Sequence, residues 1–243
     1  MNARTLLLLA LTWPLMAQAG GGKLLLTGGV SSIDGAAGGG LTPWALTGSY
    51  AAEGEWGATA SVSRARTSDY GLTVTGAALA WSDRLEVSIA RQDFNAADNL
   101  APLGLRGLHL KQTIVAAKLR IAGEAVLDAD TLMPQVALGL EAKRVDAAAL
   151  NPTLTGALGA KRDGIDLYAS ATKLFLAPGV LVNGTLRLTK ANQNGLLGFG
   201  GAQGSGYRLM PEVSVAWLAN RHVAIGAEYR AKPDNLNRSV LGT

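Results

Sequence analysis

The segment Val180-Leu181-Val182-Asn183-Gly184-Thr185-Leu186-Arg187-Leu188-Thr189 holds the clearest structural signal in the chain. Val180, Val182, Gly184, Leu186 and Leu188 share one parity, while Asn183, Thr185, Arg187 and Thr189 share the other. Side chains alternate across a β-strand, so this segment has an apolar face and a polar face. A helical step would scatter both sets around the axis. The run spans about ten residues, against a globular mean of about 5–6. That length suits a tilted strand crossing a membrane, which needs about 9–11.

The same alternation appears on both sides of this segment. Val136, Leu138, Leu140 and Ala142 oppose Gln135, Glu141 and Lys143. Leu85, Val87 and Ile89 oppose Glu86, Ser88 and Gln92. Val115, Ala117, Leu119 and Ile121 oppose Lys118 and Arg120. Val213, Val215 and Trp217 oppose Glu212 and Ser214, and Val223, Ile225, Ala227 and Tyr229 oppose His222, Glu228 and Arg230. The pattern predicts strands near 24–32, 41–51, 55–65, 70–81, 84–93, 110–122, 132–144, 163–175, 179–190, 207–217 and 221–231.

A soluble sandwich also alternates, but three features favour a membrane barrel. The strands are long. Their polar faces keep charges along much of their length, as a wet lumen allows. Most Trp and Tyr stand near predicted strand ends: Trp44, Tyr50, Trp56, Tyr70, Trp81, Tyr207, Trp217 and Tyr229. Aromatic girdles at two interfaces place them there. Connections near 52–54, 82–83, 176–178 and 218–220 are short, and those near 94–109, 145–162 and 191–206 are long. Short periplasmic turns and long outer loops give that pattern. The expected fold is an all-β, antiparallel transmembrane β-barrel. Eleven predicted strands is an odd count, and bacterial single-chain barrels have even counts. The expectation is therefore about 11 strands of 12–14, with the chain truncated at its C-terminus.

Composition agrees. Of 243 residues, 48% are apolar and only 16% charged, which argues against disorder. There is no cysteine, which excludes a disulfide scaffold, a thiolate metal site and a cysteine nucleophile. The net charge of +4 is spread along the chain, so no nucleic-acid partner is expected. At the N-terminus, Arg4 precedes the apolar run 5–16, and Ala17-Gln18-Ala19 follows with small-x-small spacing. This reads as a signal peptide over 1–19 with the barrel domain over 20–243. The run is too short for a membrane span of about 20 residues. The expected location is the bacterial outer membrane, with membrane lipid as partner.

The residues Gly21-Gly22-Lys23-Leu24-Leu25-Leu26-Thr27-Gly28-Gly29-Val30-Ser31 resemble the opening of an uncharacterised family of Gram-negative outer-membrane proteins. Leu41-Thr42-Pro43-Trp44-Ala45 is similar to its next block. Pro211-Glu212-Val213 and 226–236 resemble a later one. The family carries only a domain-of-unknown-function label. The resemblance covers essentially the whole mature chain and implies location and fold. It implies no activity, cofactor or catalytic residue.

The charged residues of the polar faces are the candidate lumen-lining set: Glu86, Lys118, Arg120, Glu141, Lys143, Asp166, Arg187, Glu212, Glu228 and Arg230. Their near balance gives no basis for ion selectivity. Apolar loop segments at 100–105, 147–150 and 196–199 are expected either to fold into the mouth and receive a hydrophobic molecule or to pack on one another. A short helix within 145–160 is limited by Pro152 and Gly156. No G-x-S-x-G elbow and no H-E-x-x-H zinc pattern is present. Gly198 to Gly206 lacks the ending of a phosphate loop. His109 and His222 read as ordinary interfacial residues. The chain is expected to be no enzyme and to hold no cofactor or metal. Its first expected role is passive passage or binding of small solutes. A structural or anchoring barrel is the alternative, and a lipid-modifying enzyme is third.

Overall fold

The computed structural model describes residues 11–12, 30–98, 100–101, 104–125, 131–220 and 222–236. Among them lie nine long strands: β1 (Trp56–Arg66), β2 (Gly71–Trp81), β3 (Leu85–Asn95), β4 (His109–Ala122), β5 (Gln135–Asp146), β6 (Asp163–Phe175), β7 (Val180–Thr189), β8 (Arg208–Asn220) and β9 (Val223–Arg230). Each pairs antiparallel with the next, giving one up-and-down sheet in chain order. The sheet curls in the manner of a β-barrel, and the fold is all-β. Among the described residues no helix is long and apolar enough to cross a membrane, which leaves strands untouched as a crossing element.

Period two in the sequence becomes inside and outside in the wall. On β7 the inward residues Leu181, Asn183, Thr185, Arg187 and Thr189 are buried, and Val182, Gly184, Leu186 and Leu188 are exposed. Exposed apolar side chains cover the outside on every strand from Trp56 to Tyr229. This inverts the usual order, because the charged face is the buried one.

The hairpins follow from local chemistry. Ser82 and Asp83 both have positive φ, at 55° and 51°, and the Arg84 N–H closes the turn on the Trp81 carbonyl at 3.0 Å. Two positive φ values give the turn whose twist matches the flanking strands, and short polar residues tolerate it. The turns after β2, β6 and β8 lie at one end of the wall. At the other end, residues 96–108, 147–162 and 190–207 form long loops. The predicted helix within 145–160 is present as Asn151–Thr155, with Pro152 in its first turn and Gly156 after it.

Two predicted strands are corrected. Residues 41–51 form no strand, and the described part of 24–32 contributes only Val30–Ser31, paired with Ala37–Gly38. Residues 24–29 lie outside the described residues. Instead, residues 30–51 run through the interior of the curled sheet. Thr42 to Ser49 are buried at both parities, so this stretch has no outward apolar face. Pro43 removes a ladder donor and Gly48 weakens strand propensity. The strand count is therefore nine long strands among the described residues, not eleven. Trp44, expected at a strand end, sits inside with 6% exposure. The predicted signal peptide lies outside the described residues except for Leu11–Thr12, which pairs with Ser63 and Arg64 on the edge of β1. The C-terminal residues 237–243 also lie outside them.

The interior is layered. Loop residues Leu108, Leu154, Leu197 and Leu236 form an apolar lid with Leu110 and Val145. Trp44, Leu46, Ala125, Leu174, Leu181 and Ala216 form an apolar floor at the turn end. A charged middle lies between them.

Candidate functional site

The charged middle is built from inward positions on adjacent strands. Glu141 and Lys143 come from β5, Asp166 from β6, Arg187 from β7, Glu212 from β8 and Arg230 from β9. Register aligns them: Glu141 lies opposite Asp166, and Glu212 lies opposite Arg230. Two carboxylates side by side would repel, and the cations between them prevent it. The Lys143 Nζ stands 2.8 Å from Glu141, 3.0 Å from Asp166 and 3.2 Å from Asp34. Arg187 pairs with Glu141 and Glu212. Arg230 reaches Asp34 at 2.6 Å and Glu212 at 3.2 Å. None of these side chains is more than 2% exposed.

The Arg187 guanidinium also lies over the Tyr168 ring, 5.1 Å from its centre. That ring occupies the space where Gly139 of β5 has no side chain. The glycine is needed because a Cβ there would enter the ring.

Asp34, in the interior segment, ties that segment to the wall. Its partners are Lys143, Arg187 and Arg230. Burial pushes the Asp34 carboxyl up, but these three positive charges outweigh burial and hold it well below the usual carboxylate range. A second anchor lies at Glu86 of β3, which accepts from the Ala37 and Gly48 N–H groups and pairs with Lys118 at 3.1 Å. Lys118 in turn donates to the carbonyls of Ala37 and Trp44. Glu228 accepts from Leu41 N–H at 2.6 Å, from the Thr42 hydroxyl and from Ser214.

Neutral side chains complete the seat. The Thr172 hydroxyl accepts from Ala45 N–H and Gln135 donates to the Ala45 carbonyl, both at 2.8 Å. Thr185 donates to the Pro43 carbonyl at 2.9 Å. Gln92 donates to the Ile33 carbonyl at 2.7 Å. The segment has little internal secondary structure, so the wall supplies the partners that its buried backbone groups require. Every strand from β3 to β9 contributes at least one of these side chains.

Nine of the ten residues singled out from sequence thus meet the internal segment or its ion cluster: Glu86, Lys118, Glu141, Lys143, Asp166, Arg187, Glu212, Glu228 and Arg230. Arg120 stands apart. It is half-buried at the turn end with Asp83 at 2.9 Å and Glu124 at 3.0 Å. Sequence reading missed Asp34, Gln92, Gln135 and Thr172. The last three share parity with the chosen charges and were legible on that ground. Asp34 was not, because Ile33-Asp34-Gly35 reads as an ordinary turn. Of the histidines, His109 bonds Asp93 at the base of a loop, and His222 is exposed in a turn. Among the described residues no group of His, Cys, Asp or Glu is arranged to hold a metal.

No curated protein and no solved structure matches the chain. A family model described as "Protein of unknown function (DUF3034)" matches residues 27–240. That span holds the whole wall and the whole internal segment, and the chain belongs to this family of unknown function.

Proposed function

We propose that the chain is an exported outer-membrane protein whose nine strands face lipid and whose N-terminal segment closes its interior. The exposed apolar outside supports the first half. Val62, Ile89, Val115, Leu186, Val215 and Ile225 are each at least 50% exposed. A soluble protein rarely exposes so continuous an apolar surface. In lipid the cost is removed, and β2 to β8, each paired on both sides, satisfy their own backbone groups. The observation that carries the second half is the seat of residues 30–51 on seven consecutive strands.

A structural or anchoring barrel without an open pore fits this seat best, with no catalytic chemistry and no cofactor. A second reading, passage of small polar solutes, is favoured by the hydrophilic wall behind the segment: Gln92, Gln112, Asn183 and Thr185 are all buried there. That passage requires the segment to leave. Planar-bilayer recording separates the two. The wild-type chain is expected to give no discrete conductance steps, and the variant Asp34→Ala with Glu86→Ala is expected to give them. Steps from the wild type would overturn the closed reading in favour of passage.

A further inference from the structure

The outer wall carries a regular feature that the proposed function does not use. On β1, β3 and β5 the outward apolar series ends at Val62, Ile89 and Ala142. The next outward residue, two positions on, is an arginine each time: Arg64, Arg91 and Arg144. All three lie toward the loop end and all are exposed. Arg91 and Arg144 both lie opposite Thr113 of the strand between them. Two strand spacings separate them, about 10 Å. Lys111, one step farther along β4, stands between Asp93 and Asp146 of the neighbouring strands. The opposite border of the apolar belt ends instead in Trp56, Trp81 and Trp217.

These guanidiniums are largely unspent. The Arg91 guanidinium has no hydrogen bond or ion pair with any described residue. Arg64 has one contact, to the Thr73 hydroxyl at 3.4 Å. Arg144 has one, to Asp163 at 3.5 Å, with both side chains more than 60% exposed. So exposed a pair is weak, because solvent screens it and both side chains lose freedom to form it. The neighbouring carboxylates are engaged elsewhere: Asp93 with His109, and Asp146 with Asn151 and Ala148 N–H. The arginines thus keep planar donor forks directed outward at the edge of an apolar belt.

We propose that Arg64, Arg91 and Arg144 form a basic collar that binds the phosphate groups of anionic membrane lipids. The collar depends on the reading of the wall as lipid-facing. An anionic headgroup is the partner that stands at this height when acyl chains cover the belt. Arginine suits it because its fork grips phosphate in two bonds. Each basic residue near an anionic lipid surface strengthens attraction by a factor of about five.

The test uses the full chain in phosphatidylcholine vesicles containing a minority of phosphatidylglycerol, with spin-labelled lipids of each type. The motionally restricted fraction reports lipid held at the wall. With one arginine per headgroup, the wild type is expected to prefer phosphatidylglycerol about fivefold, with the preference weakening in high salt. The triple variant Arg64→Gln, Arg91→Gln, Arg144→Gln should lose the preference, and the triple lysine variant should retain most of it. Quenching of tryptophan by brominated acyl chains in the same vesicles reports insertion separately. Absent quenching would overturn the membrane reading and the collar with it. Quenching without lipid preference would overturn the collar alone. Full competition by millimolar inorganic phosphate would overturn the lipid as its partner.

Discussion

Asp34 and Lys143 lie 109 positions apart in the chain, and their charges meet 3.2 Å apart in the fully buried interior. The pair joins a segment without regular structure to a strand of the wall. Breaking a buried pair from one side leaves the other charge uncompensated, at a cost of about 3–5 kcal/mol. Lys143 serves three carboxylates and Asp34 three cations, so both are sensitive positions. Lys143→Met should destabilise more than Asp34→Asn, because it removes the one cation shared by three buried carboxylates and leaves Arg187 and Arg230 to balance them, whereas Asn keeps the shape of the aspartate. Urea unfolding followed by tryptophan fluorescence measures both. A wild-type midpoint for Lys143→Met would contradict the network.

The pH dependence of the Asp34 anchor has a defined sign. Its folded carboxyl is held below the ordinary value of 3.8. Its contribution is therefore complete above the unfolded value and is lost as pH falls through the folded one. The stability difference between wild type and Asp34→Asn should stay constant from about pH 8 to pH 5 and shrink below about pH 4. A difference that fades between about pH 7 and pH 5 would show an anchor titrating in the wrong range.

The wall was legible in the sequence because one rule governs it. Alternation between Leu186 and Arg187 repeats wherever one face meets lipid or solvent and the other meets charge. That rule also picked out nine residues that meet around the internal segment. It fails at Thr42-Pro43-Trp44-Ala45, where burial on all sides leaves no parity to read. The backbone from Leu41 to Gly48 is bonded by side chains 38 to 187 positions away, and no local pattern encodes such partners. Aromatic position misled for the same reason. Trp44 resembles a girdle residue, yet its indole N–H donates to Ser214 inside the barrel at 3.0 Å.

Gly139 and Tyr168 offer a packing test. A side chain at 139 would occupy the ring that supports Arg187. Gly139→Val should cost about 1–3 kcal/mol by overpacking. Adding Tyr168→Leu removes the clash, so the double variant should recover part of that loss. Equal stability of single and double variants, by the same urea titration, would argue against this contact.

The absence of cysteine makes the internal segment open to direct labelling. Ala45 has no exposed surface, while Ser68 is exposed in the β1–β2 connection. In the folded chain, the Ala45→Cys variant should resist a bulky maleimide and the Ser68→Cys variant should react fully. Adding Glu86→Ala to Ala45→Cys removes the acceptor for the Ala37 and Gly48 N–H groups. The labelling rate of that double variant should exceed the rate of Ala45→Cys alone by roughly tenfold, as local opening becomes easier. Fast labelling of Ala45→Cys in the otherwise native chain would place the segment outside the wall.

The tryptophans divide between the outer face and the interior, which makes them a test of the proposed lipid contact. Trp56, Trp81 and Trp217 are 62%, 44% and 52% exposed on the outer face, and Trp44 is 6% exposed inside. Outward indoles near the end of an apolar belt sit where acyl chains meet headgroups. Bromine attached to lipid chains quenches only nearby indoles. Single-tryptophan variants keeping Trp56, Trp81 or Trp217 should therefore be quenched strongly, and the variant keeping Trp44 should be spared. The depth of bromine should matter: labels near the headgroup should quench these three more than labels near the chain end. Equal quenching of Trp44 would mean that lipid reaches the interior, and no quenching of the other three would mean that the apolar wall meets something other than a membrane.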